Sequence, residues 1–422
     1  SVGLITAREG IEIGASPGVG ASISVDGNAI FSGITTATTL RAPTGIVTTF
    51  VTNTAKVGAA VTISESGIEA SGIGITCANI NGTQIGGRKN IIINGAMMVA
   101  QRGTSSTTSG YGSVDRFQHT HNGTDEAPTF EQADVASGTT PYTLGFRKSL
   151  KVTNGNQTSG AGASDYIYIS QRIESQNTAN SGWNYTSTSS FITLSFWVKS
   201  SVAQEFHGFI LSADGTRKLY SFSLGSLSAN TWTKVTKTIP GTSDLQFDND
   251  NAQGILFRVA MFRGTDGTGT ITQNQWGTFD TNVRYPNYTS TWYTTNDATF
   301  ELTGVQLEVG PVATPFEHRS YGDELLRCQR YYQVLIDGDN TTDSFGNATC
   351  YNSSSMHFCH QLQPEMRVTP TLDYTTGSNY YNAFQNNTND TFDTWALVGN
   401  SNKRTADLMA SSGVSVMSGA SA

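Results

Sequence analysis

Charged residues are scarce in this sequence. They make up 14% of its 422 residues, against about 25% in typical soluble domains. Long solvated helices need charged faces, so this composition argues against a mainly helical protein. Gly is abundant at 44 residues, and hydrophobic residues, at 37%, suffice for a core. The composition favours short strands joined by tight turns, and the sequence predicts a mainly β protein.

Positive charge is also in deficit, with 25 Lys and Arg against 33 Asp and Glu and a net charge of −8. This balance argues against nucleic acid as a partner, because phosphate binding needs clustered cations. It equally disfavours an anionic membrane surface. No apolar run approaches the ~20 residues of a membrane span, so we expect no membrane insertion. The sequence does not begin with Met and its first residues do not have a signal-peptide pattern, so we expect no signal peptide and a chain that is processed or a fragment.

Cysteine is rare as well: the sequence contains Cys77, Cys328, Cys350 and Cys359. No CxxC pair occurs, and no Cys–His spacing matches a zinc site, so we expect no cofactor and no metal. Cys350 and Cys359 could form a disulfide across a hairpin. Four free thiols are favoured in so large a chain, and they fit assembly in a reducing cytoplasm.

Residues 1–87 almost lack aromatic side chains. Short alternating runs bounded by Gly follow one another, and Asp26-Gly27 between apolar residues predicts a hairpin. Such short strands cannot bury a globular core alone, so their apolar stripe must be covered by copies of itself. We therefore predict a self-associated β-rich stalk. The alternative is a disordered linker.

Residues 88–319 predict a β-sandwich. Short strand patterns recur between polar turns, in a number and spacing typical of that fold. The predicted strands cover 149–153, 165–172, 191–200, 206–212, 218–224, 232–239, 254–262 and 298–309.

The last predicted strand runs into a helix. Its apolar alternation changes parity at Gly304, which predicts a β-bulge. Ser320 with Asp323 is typical of a helix start, and the apolar spacing predicts a helix at about 322–336. Residues 320–422 then form this linker helix and a small C-terminal β domain, with strands expected within 349–363, 370–376 and 394–399.

Chemical motifs are few. His119-Thr120-His121 places two imidazoles on one strand face, but exposed loop histidines are the favoured interpretation. The oxygen-rich run at 244–251 could hold calcium, although a surface turn is favoured. No GxSxG, Walker loop or HExxH occurs, and nothing selects a carboxylate pair. We expect no catalytic residues.

Two aromatic clusters are the best candidates for a binding site. Flat aromatic faces among amides and hydroxyls are what saccharide recognition needs. A loop that packs on itself or on a neighbouring subunit is an open alternative for both clusters. The predicted carbohydrate-binding residues are Trp276, Tyr285, Tyr288 and Trp292 in the first cluster, and Tyr380, Tyr381 and Trp395 in the second.

Three segments carry a resemblance to a known family: NIIINGAMMVAQRGTSSTTSGYGSVDRF, GVQLEVGPVATPFEHRSYGDELLRCQRYYQ and PEMRVTPTL. They resemble segments of bacteriophage tail fibre and virion structural proteins, particularly those of marine phages. TLSFWVKSS and TWTKVTKTIPG are similar to strands of jelly-roll carbohydrate-binding modules, and this resemblance implies that residues 88–319 form a jelly-roll-like β-sandwich. No residue of these segments is catalytic in the family.

The resemblance implies a homotrimeric tail fibre in the virion. Its partners would be other virion tail proteins and a host surface polysaccharide, bound during adsorption, after assembly in the host cytoplasm. One alternative is a purely structural nozzle or adaptor without host contact. A second is a depolymerase that cleaves the surface glycan.

Overall fold

The computed structural model describes residues 89–336, 344–385, 388–411 and 414, and only short strands from the first 88 residues. The chain divides into two compact units, Ser1–Thr76 and Cys77–Ala422. The early strands are β1 (Ile11–Ile13), β2 (Ala21–Ile23), β3 (Ala29–Phe31), β4 (Thr54–Val57), β5 (Val61–Ser64), β6 (Gly67–Ala70), β7 (Asn79–Ile80) and β8 (Thr83–Gln84). Strand β2 pairs antiparallel with β3, as the predicted hairpin requires, and the predicted turn at Asp26-Gly27 itself lies outside the described residues. The side chains needed to assess a self-associated stalk lie outside the described residues.

A two-sheet sandwich follows. Its strands are β9 (Ser105–Ser106), β10 (Gln118–Asn122), β11 (Thr129–Asp134), β12 (Lys148–Thr153), β13 (Tyr166–Glu174), β14 (Phe191–Ser200), β15 (Gln204–Ser212), β16 (Lys218–Leu227), β17 (Thr233–Pro240), β18 (Gln253–Arg263), β19 (Trp276–Thr278) and β20 (Thr299–Val309). Sheet I has the order β10-β13-β18-β15-β16-β19, and sheet II has the order β17-β14-β20-β12-β11-β9. The inward side chains of both sheets form one apolar core.

The eight strands predicted for the sandwich are all present, and the mainly β fold class is confirmed. Strong alternation made them visible, because one face of each strand packs into the core. The pattern missed β9, β10, β11 and β19, which lie towards the sheet edges. Edge strands bury less apolar surface, so their alternation is weaker.

The predicted bulge lies in strand β20. Thr303 pairs with Trp197 and Gln306 with Ser195, so two residues of β20 oppose one residue of β14. Gly304 adopts a φ of 65°, in the left-handed region that favours Gly. A Cβ there would also lie 2.7 Å from the Phe146 ring, so any larger residue would displace this core side chain.

Four α-helices occur among the described residues: α1 (Thr140–Thr143), α2 (Ser175–Ala179), α3 (Thr291–Thr294) and α4 (Tyr321–Gln329). Helix α4 begins as predicted, because the Asp323 amide donates to the Ser320 hydroxyl at 3.2 Å. It ends at Gln329 rather than near residue 336, since the next side chains leave the helix to contact the sandwich. The longest of these helices has 9 residues, too few to cross a bilayer.

The two longer family-like segments interlock inside the sandwich. Asn90 accepts from the Leu307 amide at 3.0 Å and donates to the Val305 carbonyl at 3.0 Å. Arg319, with a 5% exposed side chain, pairs with Glu324 at 3.4 Å and donates to the Ile92 carbonyl at 3.1 Å. These polar side chains join the start of the domain to its last strand and helix. Their role in this chain is structural.

The C-terminal strands are β21 (Thr349–Asn352), β22 (Ser355–Gln361), β23 (Tyr381–Gln385), β24 (Thr388–Phe392), β25 (Ala396–Leu397) and β26 (Thr405–Ala410). They form a sheet of order β21-β22-β26-β25 and a separate β23–β24 hairpin. The strand predicted within 370–376 is wrong: Leu372 and Tyr374 pack on the C-terminal core without pairing to a strand. Cys350 lies opposite Met356 and Cys359 opposite Asp407, so the hairpin does not bring the two cysteines together.

Candidate functional site

The first aromatic cluster is largely buried. Trp292, on helix α3, is 0% exposed and Tyr285 is 1% exposed. The Trp292 indole donates to the Thr299 carbonyl at 3.0 Å, and its amide donates to the Gln204 side chain at 2.9 Å. The prediction that these two rings are exposed sugar platforms is therefore wrong. Both are core side chains.

The loop that carries this cluster lies on the outer face of sheet I. Tyr285 packs against Phe209 in a small second apolar core. The half-buried Tyr288 donates its hydroxyl to a strand carbonyl and accepts from the His207 amide at 3.1 Å. The half-buried Trp276 donates to the Pro240 carbonyl at 2.7 Å. The loop has few aliphatic residues of its own, and the strands of sheet I supply the apolar side chains on which Tyr285 packs.

The second cluster contains both core and surface rings. Trp395 is 8% exposed and packs edge-on against Phe392 at 4.9 Å, so it too is a core side chain rather than a platform. The half-buried Tyr381 stacks on Phe392. By contrast, Tyr380 is 48% exposed and Phe384, which the sequence prediction omitted from the site, is 81% exposed. Within the second cluster, as far as the structure describes it, these are the two rings that present large faces to solvent.

Tyr380, Tyr381, Phe384 and Trp395 line a cleft of about 2010 Å³ within the second unit. The sandwich contributes Arg102 and Asp115 to the same cleft, and the C-terminal strands surround the aromatic side. This volume exceeds the roughly 300–1,000 Å³ of ordinary small-molecule sites. The cleft is large enough for an oligosaccharide.

The sandwich side of the cleft is polar and held in place by stacking. The Arg102 guanidinium lies 3.4 Å from the Tyr332 ring centroid, and that of Arg116 lies 3.3 Å from the Tyr331 centroid. Burial raises the pKa of Asp115, although hydrogen bonds from Gln101 oppose the shift. Arginine side chains cover the faces of Tyr331 and Tyr332, so a bound sugar could stack only on rings at the opposite side of the cleft.

Tyr380 is held rigidly on that opposite side. Its amide donates to the Asp393 carboxylate at 2.8 Å, and its ring lies 5.1 Å from Tyr381 in an edge-on arrangement. The Tyr381 hydroxyl donates to the Thr375 carbonyl at 2.8 Å. The neighbouring Asn382 is exposed and lines the cleft. The arrangement offers flat apolar faces beside amide groups.

The other polar motifs have structural roles. His119 is 0% exposed, stacks on Phe130 at 4.2 Å and accepts from the Gly112 amide at 3.1 Å, so the interpretation as an exposed loop residue is wrong. In the oxygen-rich run, Asp250 accepts from the Ala252 amide at 3.0 Å, as in an Asx turn. Among the described residues, no three His, Cys, Asp or Glu side chains converge into a metal site.

No protein-family model and no curated protein sequence matches this chain. Among solved structures, the chain is similar to the enzymatically active domain of tailspike protein 4 of bacteriophage CBA120, at 11% identity and a TM-score of 0.28, over 52% of this chain and 21% of that chain. It is also similar to TmCBM61 in complex with β-1,4-galactotriose, at 7% identity and a TM-score of 0.25, over 52% of this chain and 98% of the other. A third similar structure is the N-terminal cellulose-binding domain of Cellulomonas fimi β-1,4-glucanase C, at 10% identity and a TM-score of 0.25, over 51% and 99% of the two chains.

Proposed function

We propose that this protein is a bacteriophage tail fibre component, located in the virion, that binds host surface polysaccharide in the cleft. The observation that carries the binding assignment is the pair of exposed rings, Tyr380 and Phe384, on one side of a cleft large enough for several sugar units. The family-like segments support the assignment to a tail fibre. Their structural role fits a family in which this scaffold displays binding surfaces.

Aromatic stacking sets the expected strength of one site. A partly covered ring contributes about 1–2 kcal/mol at ~25 cal/mol per Å² of buried apolar area. After the ordering costs of binding, a single site built on two rings stays weak, near millimolar. Linked copies in a homotrimer would gain ~10²–10⁴ in avidity. Weak individual sites are therefore compatible with firm attachment of a virion.

The test is affinity electrophoresis of the full chain against a panel of bacterial surface polysaccharides. Tyr380→Ala and Phe384→Ala should each weaken binding about 5–30-fold, the equivalent of ~1–2 kcal/mol. Tyr351→Ala is the matched control, because Tyr351 is 74% exposed and does not line the cleft. If both cleft variants still migrate as slowly as the wild type in gels that contain the polysaccharide, the binding site lies outside the cleft. Failure to bind any polysaccharide or host cell would favour the nozzle or adaptor alternative.

We further propose that binding proceeds without cleavage. Neither the sequence motifs nor the described side chains of the cleft single out an acid–base pair for glycoside hydrolysis. Incubation with a polysaccharide that the protein binds should leave its size distribution unchanged. Chain shortening abolished by a single Asp or Glu substitution in the cleft would establish the depolymerase alternative.

A further inference from the structure

Three arginines converge on the outer face of sheet I, away from the cleft. Arg258 and Arg263 lie on strand β18 and are each 8% exposed. Arg284 lies in the loop that covers this face, and its amide donates to the Gly267 carbonyl at 3.1 Å. The Arg263 side chain lies directly against Gly267, where a Cβ could not be accommodated. The loop thus brings a third cation towards the two on the strand.

Tyrosine rings support the arginines from one side. The rings of Tyr166 and Tyr168 stack with centroids 5.2 Å apart. The Arg258 guanidinium lies 3.8 Å from the Tyr168 centroid, and that of Arg263 lies 5.1 Å from the Tyr166 centroid. Stacking orients a guanidinium and leaves its edge free to donate hydrogen bonds. Tyr166, Tyr168 and Arg284 are half-buried, so part of the cluster faces solvent.

The cluster has no internal counter-charge. Within the part of the chain that the structure describes, no carboxylate lies within 4.0 Å of any of the three guanidinium groups. The buried Nε atoms of Arg258, Arg263 and Arg284 have no hydrogen-bond partner. Burial lowers the pKa of Arg284, and the charges of Arg263 and Arg258 act in the same direction.

Arg263 Nη1 donates to the Ser164 carbonyl at 3.2 Å, but this bond supplies no negative charge. Buried cations without a counter-charge are costly, and natural interiors normally pair them. An anion from outside the chain could supply this counter-charge. A guanidinium group can donate two parallel hydrogen bonds to two oxygens of the same anion. Carboxylate and sulfate groups have oxygens at the required spacing. We propose that Arg258, Arg263 and Arg284 form an oxyanion-binding site that takes a sulfate or carboxylate group. The group can be a free ion or a substituent of an acidic polysaccharide.

The test compares the melting temperature of the full chain in sodium sulfate and in sodium chloride at equal ionic strength. Sulfate stabilises proteins generally, so the decisive quantity is the difference between variants. The wild type should show an additional, saturable rise in melting temperature of several degrees that Arg284→Gln lacks. Arg284→Lys, which keeps the charge, should recover part of it. The control is Arg217→Gln, since Arg217 is exposed and lies outside the cluster.

A second readout separates binding from a merely structural role. Arg284 is repelled by its two arginine neighbours when no anion is present, so Arg284→Gln should melt at the same or a higher temperature than the wild type in low-salt buffer. A lower melting temperature with an unchanged response to sulfate would overturn the proposal. An identical sulfate response in wild type and Arg284→Gln would overturn it as well.

Polymers then identify the source of the anion. Dextran sulfate and polygalacturonate are each titrated into the protein, and neutral dextran serves as the uncharged comparison. Binding of either polyanion that Arg284→Gln weakens at least tenfold, with no such effect in Arg217→Gln, supports a polysaccharide substituent. A saturable response to inorganic sulfate without polymer binding supports a site for a free ion. Both results differ from the cleft test, because Tyr380→Ala should leave them unchanged.

Discussion

Arg330 and Glu174 are joined by two hydrogen bonds of 2.8 Å, from Nε to Oε1 and from Nη2 to Oε2. The Glu174 side chain is 2% exposed and the Arg330 side chain 29% exposed. The Tyr331 hydroxyl also donates to this carboxylate. Arg330 follows helix α4, and Glu174 ends strand β13, so the pair fastens the linker helix to the sandwich. Burial opposes ionisation of Glu174, but the bonds from Arg330 and Tyr331 outweigh it and keep its pKa below 4.5.

Removing one member of this pair should be costly. Arg330→Met leaves a buried carboxylate without its cation, and we expect a loss of about 3 kcal/mol in the free energy of unfolding. Urea denaturation of the full chain measures it. The control is Arg404→Met, because the Arg404–Glu365 pair is 76% and 41% exposed and should contribute under about 1 kcal/mol. If both variants lose the same free energy of unfolding, the buried pair contributes no more to stability than an exposed pair, and the prediction is wrong.

The same pair predicts a dependence on acid. A carboxylate with a lowered pKa in the folded state contributes stability above its ordinary pKa, and this contribution is lost as the pH falls through the folded value. The free energy of unfolding should therefore decline as the pH drops below 4.5. In Arg330→Met this part of the decline should be smaller. Urea denaturation between pH 5 and pH 3 tests the difference.

Trp292→Ala should destabilise the sandwich. The side chain is 0% exposed and its indole is hydrogen-bonded, so truncation creates a cavity and removes one of the two hydrogen bonds that the Thr299 carbonyl accepts, the other coming from the Ser201 amide. We expect a cost of about 3–5 kcal/mol and a fall of several degrees in melting temperature. The exposed Tyr351→Ala should melt like the wild type. An unchanged melting temperature for Trp292→Ala would restore this ring as a surface platform.

His119 predicts a second pH effect, at higher pH. Burial lowers its pKa from 6.5 to about 4, and the charge of His121 adds to the shift. The unfolded chain binds a proton near pH 6.5 that the folded chain does not bind until about pH 4. The free energy of unfolding should therefore decrease as the pH is lowered from about 6.5 to about 4, by roughly 3 kcal/mol at about 1.4 kcal/mol per pH unit.

The variant His119→Gln isolates this contribution. It removes the titrating group and keeps an acceptor for the Gly112 amide. Urea denaturation at pH 7, 5.5 and 4.5 should show a shallower decline in the variant. Some slope should remain, because burial also lowers the pKa of His207. A decline of the same size in both proteins would contradict burial of His119.

The full chain should be a homotrimer. The prediction rests on residues 1–87, whose short strands cannot bury a core alone, and on the resemblance to phage fibres. Light scattering should give three times the 45.1 kDa mass of one chain. A fragment covering residues 88–422 should associate more weakly. A monomeric full chain would contradict the stalk.

Local sequence determined the elements that bury one face. Alternation in β12–β18 and in β20 is dictated by packing into the core, and this made those strands visible from spacing alone. The bulge at Gly304 and the cap at Ser320 were equally predictable, because each depends on the conformational or hydrogen-bonding properties of a single residue type. Low charge and abundant Gly were enough for the mainly β class.

Only the tertiary structure decided which aromatic rings face solvent. A ring among Asn, Thr and Ser has the same local sequence whether it stacks on ligand or on a neighbouring sheet. Trp292 is buried in the core between the two sheets and Tyr285 against the outer face of sheet I, so strands distant in sequence cover both rings, whereas Tyr380 has no such cover. The arginine cluster was invisible for the same reason. Arg284 comes near Arg258 and Arg263 only because a loop folds back over the strand that carries them, a proximity that residue spacing does not encode.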